Sequence, residues 1–116
     1  MKKVALFAYN GDSLCFIHVL LHAFDMESKN YDVKIVIEGS ACKLVKEFAD
    51  NPDHPTAKLY EKAKKENLIG GVCKACANKL GALEAAQAQG LHLYDDMMGH
   101  PSITSFLEQG YQVFTF

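Results

Sequence analysis

Leu68-Ile69-Gly70-Gly71-Val72-Cys73-Lys74-Ala75-Cys76-Ala77-Asn78-Lys79-Leu80-Gly81 is the stretch on which the reading of this chain turns. An apolar run bounded by glycines predicts a short buried strand, and the alanines and leucines that follow at helical spacing predict a helix. Cys73 then closes the strand and Cys76 stands in the first turn of the helix. Unpaired backbone N–H groups at a helix start carry partial positive charge, and Lys74 and Lys79 are close in sequence, so this environment is expected to favour a thiolate. A reactive sulfur pair is the chemistry indicated. The competing reading is that the cysteines are small core hydrophobes.

Outward from this stretch the chain alternates strand and helix. Residues 3–9 form a continuous apolar run closed by Asn10-Gly11, and Asp12 or Ser13 can cap a helix that runs to about Ser28. Residues 32–37 resume as a β-branched strand ending at Glu38-Gly39. Ser40 is the expected cap of a second helix with the apolar stripe Ala41, Leu44, Val45 and Phe48. The prolines of Asn51-Pro52-Asp53-His54-Pro55 demand a loop, and a polar helix over residues 56–66 leads into the cysteine strand. The helix after Cys73 is expected to run from Lys74 to about Gln89, burying Leu80 and Leu83, with Gly90 as its stop. Residues 91–94 read as a short strand, His100-Pro101-Ser102 as the start of a last helix, and residues 111–116 as a closing strand.

Alternating elements with apolar strands predict a single α/β domain over residues 1–116, a three-layer α/β/α arrangement with a mostly parallel sheet of about five strands. In such a sheet the loops after the strands converge on one edge. Cys15 follows the first strand, Cys42 the second, and Cys73 and Cys76 the third, while Asp95, Asp96 and His100 follow the fourth. All four cysteines therefore fall in opening helical turns on one edge.

The 116 residues are 49% apolar with a net charge of -2, and no basic face argues for nucleic acid or a membrane surface. No apolar stretch approaches a membrane span, and no signal-peptide cleavage pattern follows Met1. A cytoplasmic location is expected, where thiols stay reduced and serve redox, sulfur-transfer or metal chemistry rather than structural disulfides.

A metal site is the second class of function. Cys73 and Cys76 offer two thiolates, which structural zinc would supplement with Cys15, Cys42 or His100 across the edge. Cys15, His18 and His22 also share one face of the first helix. No phosphate loop is present, since Gly11-Asp12-Ser13 is too short for one. Residues 14–26 are apolar nearly all round, which is expected to require cover by another subunit, with Val19 taken as an outward position. An oligomeric binding or scaffold protein with incidental cysteines is the third class.

The strand-end cysteine in Ile69-Gly70-Gly71-Val72-Cys73, the Ile37-Glu38-Gly39 after strand two and the ending Phe106-Leu107-Glu108-Gln109-Gly110-Tyr111-Gln112-Val113 together resemble the DsrE/DsrF-like (YchN-like) family over essentially the whole chain. The resemblance implies a small three-layer domain assembled into trimers or hexamers. It also implies that a cysteine at the position of Cys73 carries sulfur as a persulfide between donor and acceptor proteins. Cys76 departs from the simple pattern and adds a resolving thiol, so persulfide relay and thiol redox are both open, with Lys74 as an electrostatic helper. No cofactor is required by either scheme, although zinc would fit the thiols, and sulfur-transfer or thiol-disulfide activity is the enzymatic possibility.

Overall fold

A computed structural model describes residues 1–116. The elements are β1 (Lys3–Ala8), α1 (Ser13–Ser28), β2 (Asp32–Ile37), α2 (Cys42–Asp50), α3 (Pro55–Lys65), β3 (Ile69–Cys73), α4 (Lys74–Lys79), α5 (Leu83–Ala88), β4 (Leu93–Tyr94), α6 (Ile103–Glu108) and β5 (Gln112–Thr115), with a 3-10 turn at Gly39–Ala41. The five strands form one all-parallel sheet in the order β4-β3-β2-β1-β5, as the alternating pattern requires. No helix is long and apolar enough to cross a membrane.

The strand order dictates how the helices are shared between the two faces. From β1 to β4 every crossover moves in one direction across the sheet, and right-handed connections place all the intervening helices on the same face. Val4, Leu6, Ile35 and Ile37 meet Phe16, Leu20, Leu44, Val45, Tyr60 and Ala77 there, in a core of 24 buried residues. The connection from β4 returns over the sheet to β5, so α6 alone covers the other face, packing Phe106 on Ala5, Phe7 and Val36.

Asp12 caps α1 by accepting from the Leu14 amide at 2.8 Å. Ser40 does not cap the second helix. Its hydroxyl accepts from the Gly11 amide and donates to the Tyr9 carbonyl, tying the loop after β2 to the loop after β1. His54 caps α3 through Nδ1, a role its sequence context does not announce.

Two further expectations are corrected. The helix after Cys73 is not continuous to Gln89: Gly81 takes a left-handed conformation (φ 73°) and splits it into α4 and α5, leaving Leu80 on the surface rather than in the core. Val19 is not an outward position. Phe16, Val19, Leu20 and Ala23 form the inward stripe of α1, and the apolar residues left exposed are Leu14 (72%) and Leu21 (48%). Phe114 (48%) and Phe116 (38%) are likewise exposed, with the Phe116 ring 5.8 Å from that of His22 on α1.

Candidate functional site

The same topology fixes the place where a ligand crevice can form. At the end of β3 the chain rises into α4 on the crowded face, whereas at the end of β4 it passes to α6 on the opposite face. Adjacent strands whose connections leave in opposite directions open a crevice at their carboxyl ends. Cys73 and Tyr94, the last residues of β3 and β4, are paired across this point.

Glycines let the strands approach. A Cβ at Gly71 would lie 2.6 Å from the His92 carbonyl oxygen and 2.7 Å from the Tyr94 ring, so only glycine admits β4 and its tyrosine against β3. The short β4 leads into a tight turn at Met97–His100, where Met97 and His100 exchange backbone hydrogen bonds of 2.8 and 2.9 Å. Met98 (φ 48°) and Gly99 (φ 90°) both have positive φ, the combination a primed turn needs. This turn lays His100 over the thiols.

Cys73 is the N-cap of α4, and its sulfur accepts from the Cys76 amide at 3.4 Å. His100 Nδ1 lies 3.1 Å from Cys73 Sγ and 3.8 Å from Cys76 Sγ. The Gly99 carbonyl is 3.5 Å from Cys73 Sγ. Glu38, just past the end of β2 and only 13% exposed in its side chain, brings Oε1 to 3.6 Å from the same His100 nitrogen. Tyr9, at the end of β1, is pushed up to about 12 by burial first and then by the charge and hydrogen bond of Glu38. Groups from the ends of β2 and β3 therefore meet at the imidazole that follows β4, and Tyr9 joins them through Glu38.

The expected thiolate is opposed by burial. Cys73 has no exposed surface, and desolvation pushes its thiol up to about 12 despite the Cys76 amide, which pulls it down. Lys74 reaches out to Asp95 at 3.9 Å in a surface ion pair rather than to the sulfur it was expected to help. Cys76 is the half-exposed member of the pair and the first that an incoming reagent meets.

Of the residues singled out in sequence, the structure brings together Cys73, Cys76 and His100, whose ligand atoms all lie within 4.8 Å of one another. Cys15 is exposed on α1 and stands outside this group, as do His18 and His22. Cys42 lies buried beneath it, its thiol directed to the Ile37 carbonyl at 3.6 Å and held protonated by desolvation. Glu38, Tyr9 and Gly99 are the residues that the sequence did not mark as chemical. The only available signal was their position after a strand on the shared edge.

The profile of the DsrE/DsrF-like family matches residues 3–116, and the chain belongs to that family. An uncharacterized protein of Methanocaldococcus jannaschii, MJ0733, is 33% identical over 97 residues, covering 84% of this chain and 76% of that one. An uncharacterized protein of Archaeoglobus fulgidus is 33% identical over 49 residues, 42% of this chain and 80% of the relative. Among solved structures, a conserved protein of unknown function from Bacteroides thetaiotaomicron, BT1422, superposes with a TM-score of 0.73 at 14% identity, covering 99% of this chain and 95% of that one, and so shares the fold.

Proposed function

We propose that this member of the DsrE/DsrF-like family is a cytoplasmic, homo-oligomeric sulfur carrier whose dithiol receives sulfane sulfur, shelters it on Cys73 and discharges it through Cys76. The observation that carries the reading is the single imidazole of His100 set 3.1 Å from one sulfur and 3.8 Å from the other, in the arrangement of a nucleophile and its base. Glu38, 3.6 Å from the same nitrogen, supplies the negative charge that stabilises an imidazolium formed there.

Accessibility assigns the order of steps. Cys76 gives its proton to His100, and its thiolate attacks the outer sulfur of a donor persulfide; a new S–S bond forms on Cys76, the donor's S–S bond breaks, and the electron pair leaves with the donor thiolate, which takes the proton. Cys73 then gives its proton to His100 and attacks the same outer sulfur, so that the persulfide moves to the buried position and Cys76 leaves as thiolate, which takes that proton from the imidazolium. Discharge follows either of two balanced routes. In the first, Cys76 thiolate takes the outer sulfur back from Cys73, and an acceptor thiolate attacks it there, releasing Cys76 as thiolate with both thiols unchanged in oxidation state. Alternatively Cys76 attacks the inner sulfur, forming the Cys73–Cys76 disulfide and expelling hydrosulfide; the sulfane sulfur is reduced, the dithiol is oxidised, and an external thiol reductant must restore it.

The exposed apolar group of Leu14, Leu21, Phe114 and Phe116 supports the assembly part of the proposal. Closed homo-oligomers, trimers or hexamers in this family resemblance, hide such surface symmetrically. Intact mass after incubation of the reduced protein with a low-molecular-weight persulfide tests the carrier reading, with one sulfur atom gained per chain as the expected result. No sulfur adduct and no disulfide would defeat it.

A further inference from the structure

We propose that Cys73, Cys76 and His100 form a binding site for a single thiophilic divalent cation, zinc, with the fourth coordination position left open. A tetrahedral zinc with bonds of about 2.3 Å to sulfur and about 2.0–2.1 Å to nitrogen separates its sulfur and nitrogen ligands by about 3.6 Å. The two sulfur-to-Nδ1 distances of 3.1 and 3.8 Å bracket that edge, and all three ligand atoms fall within 4.8 Å of one another. Side-chain rotation that draws the two sulfurs to the separation of about 3.8 Å set by a tetrahedral zinc completes three vertices.

The chemistry of the donor set selects the ion. Two thiolates and a neutral imidazole suit zinc and exclude hard cations such as magnesium and calcium, which take oxygen ligands. Two thiolates also cancel the charge of the cation, leaving a neutral unit in a site where Cys73 has no contact with water. Three protein ligands with an open fourth position define a site that can still accept a ligand. Glu38 Oε1, 3.6 Å from Nδ1, lies beside the three ligands, within reach of a water bound at the open position.

Metal binding itself stands apart from the sulfur-carrier reading; the competition between metal and sulfur rests on it. Zinc held by both thiolates leaves neither free to attack a persulfide, so the metal-bound form is a closed state of the carrier.

Cobalt(II) and zinc titrations of the reduced, chelator-treated full chain test the site. The expected result is one cobalt per chain, with thiolate-to-cobalt charge-transfer absorption and the intense visible bands of tetrahedral geometry, displaced by one equivalent of zinc. Cys76→Ser and His100→Gln alter groups with surface exposure, so they test the site without emptying the core; Cys76→Ser loses a thiolate's share of the charge-transfer band, and His100→Gln weakens binding at least about tenfold. Glu38→Gln weakens it about 10–100-fold, and Cys15→Ser leaves it unchanged. Octahedral cobalt spectra, or binding unaffected by Cys76→Ser and His100→Gln, would overturn the proposal. Zinc binding without sulfur loading would remove the carrier reading alone, and sulfur loading without metal binding would remove this inference alone.

Discussion

The amide of Ala75, in the first turn of α4, donates to the carbonyl of Gly99 at 2.9 Å, and this bond fastens the turn after β4 onto the helix that carries Cys76. A Cβ at Gly99 would meet Ala75 Cβ at 2.9 Å, and Gly99 has a φ of 90° that side chains disfavour. Gly99→Ala is therefore expected to cost about 1–3 kcal/mol and to lift His100 from the thiols. Urea denaturation measures the first effect, and the loss of His100-dependent sulfur loading in the folded variant measures the second. A variant with unchanged stability and loading would show that the turn does not position the base.

The thiols should differ in reactivity in the order of their burial. In metal-free protein, alkylation is expected at exposed Cys15 first, then at half-exposed Cys76, with Cys73 and Cys42 slow. Because the Cys73 thiol rises from its ordinary 9.0 to about 12, the neutral form is the one stabilised by folding. Its contribution to stability is complete below pH 9 and is lost as pH climbs towards about 12. Mass-resolved alkylation at several pH values checks both the order and the alkaline onset.

Tyr60 supplies a stability test away from the sulfur site. Its buried hydroxyl donates to Gln89 Oε1 at 2.7 Å, an oxygen that also accepts from Lys64 at 3.1 Å, while Gln89 Nε2 donates to the Val45 carbonyl at 3.0 Å. Tyr60→Phe should cost about 0.5–1.5 kcal/mol, and Gln89→Ala about 1–3 kcal/mol because it strands the hydroxyl. The double variant should cost less than the sum. Additive losses in chemical denaturation would show that the two side chains act independently.

Charge on α1 should have opposite consequences at neighbouring positions. Leu21→Glu adds charge to a side chain already 48% exposed and is expected to dissociate the assembly while the subunit stays folded. Val19→Asp buries a charge where only 1% of the residue is exposed and should unfold it. Sedimentation velocity with far-ultraviolet circular dichroism distinguishes the two outcomes; a monomeric wild type at micromolar concentration would remove the assembly proposal.

The alternation of strands and helices was legible because residues 3–9, 32–37 and 68–73 are apolar runs without helical period, each closed by a turn or cap. The third layer was legible only as a class, since the strand order β4-β3-β2-β1-β5 alone explains why α6 covers its face unaided. The orientation of α1 escaped the sequence for a related reason. A helix apolar on every side has no period to mark the stripe that faces the sheet, so Val19 and Leu21 looked alike. His100 was visible as a residue of the functional edge, but its convergence with Glu38 joins residues 62 positions apart through strands that touch neither by sequence nor by pattern. Burial worked against the helix-start argument at Cys73, because proximity of N–H groups can be read from spacing whereas loss of solvent cannot.

The carrier reading turns on where a sulfur atom resides after loading. Reduced, metal-free protein is treated with a low-molecular-weight persulfide, alkylated, and mapped by peptide mass, alongside Cys73→Ser and Cys76→Ser. The account predicts one sulfur atom on Cys73 in the wild type, slow loading but persistent retention on Cys73 in Cys76→Ser, and a short-lived adduct on Cys76 in Cys73→Ser. A sulfur atom found on exposed Cys15 with Cys73 and Cys76 unmodified would contradict it.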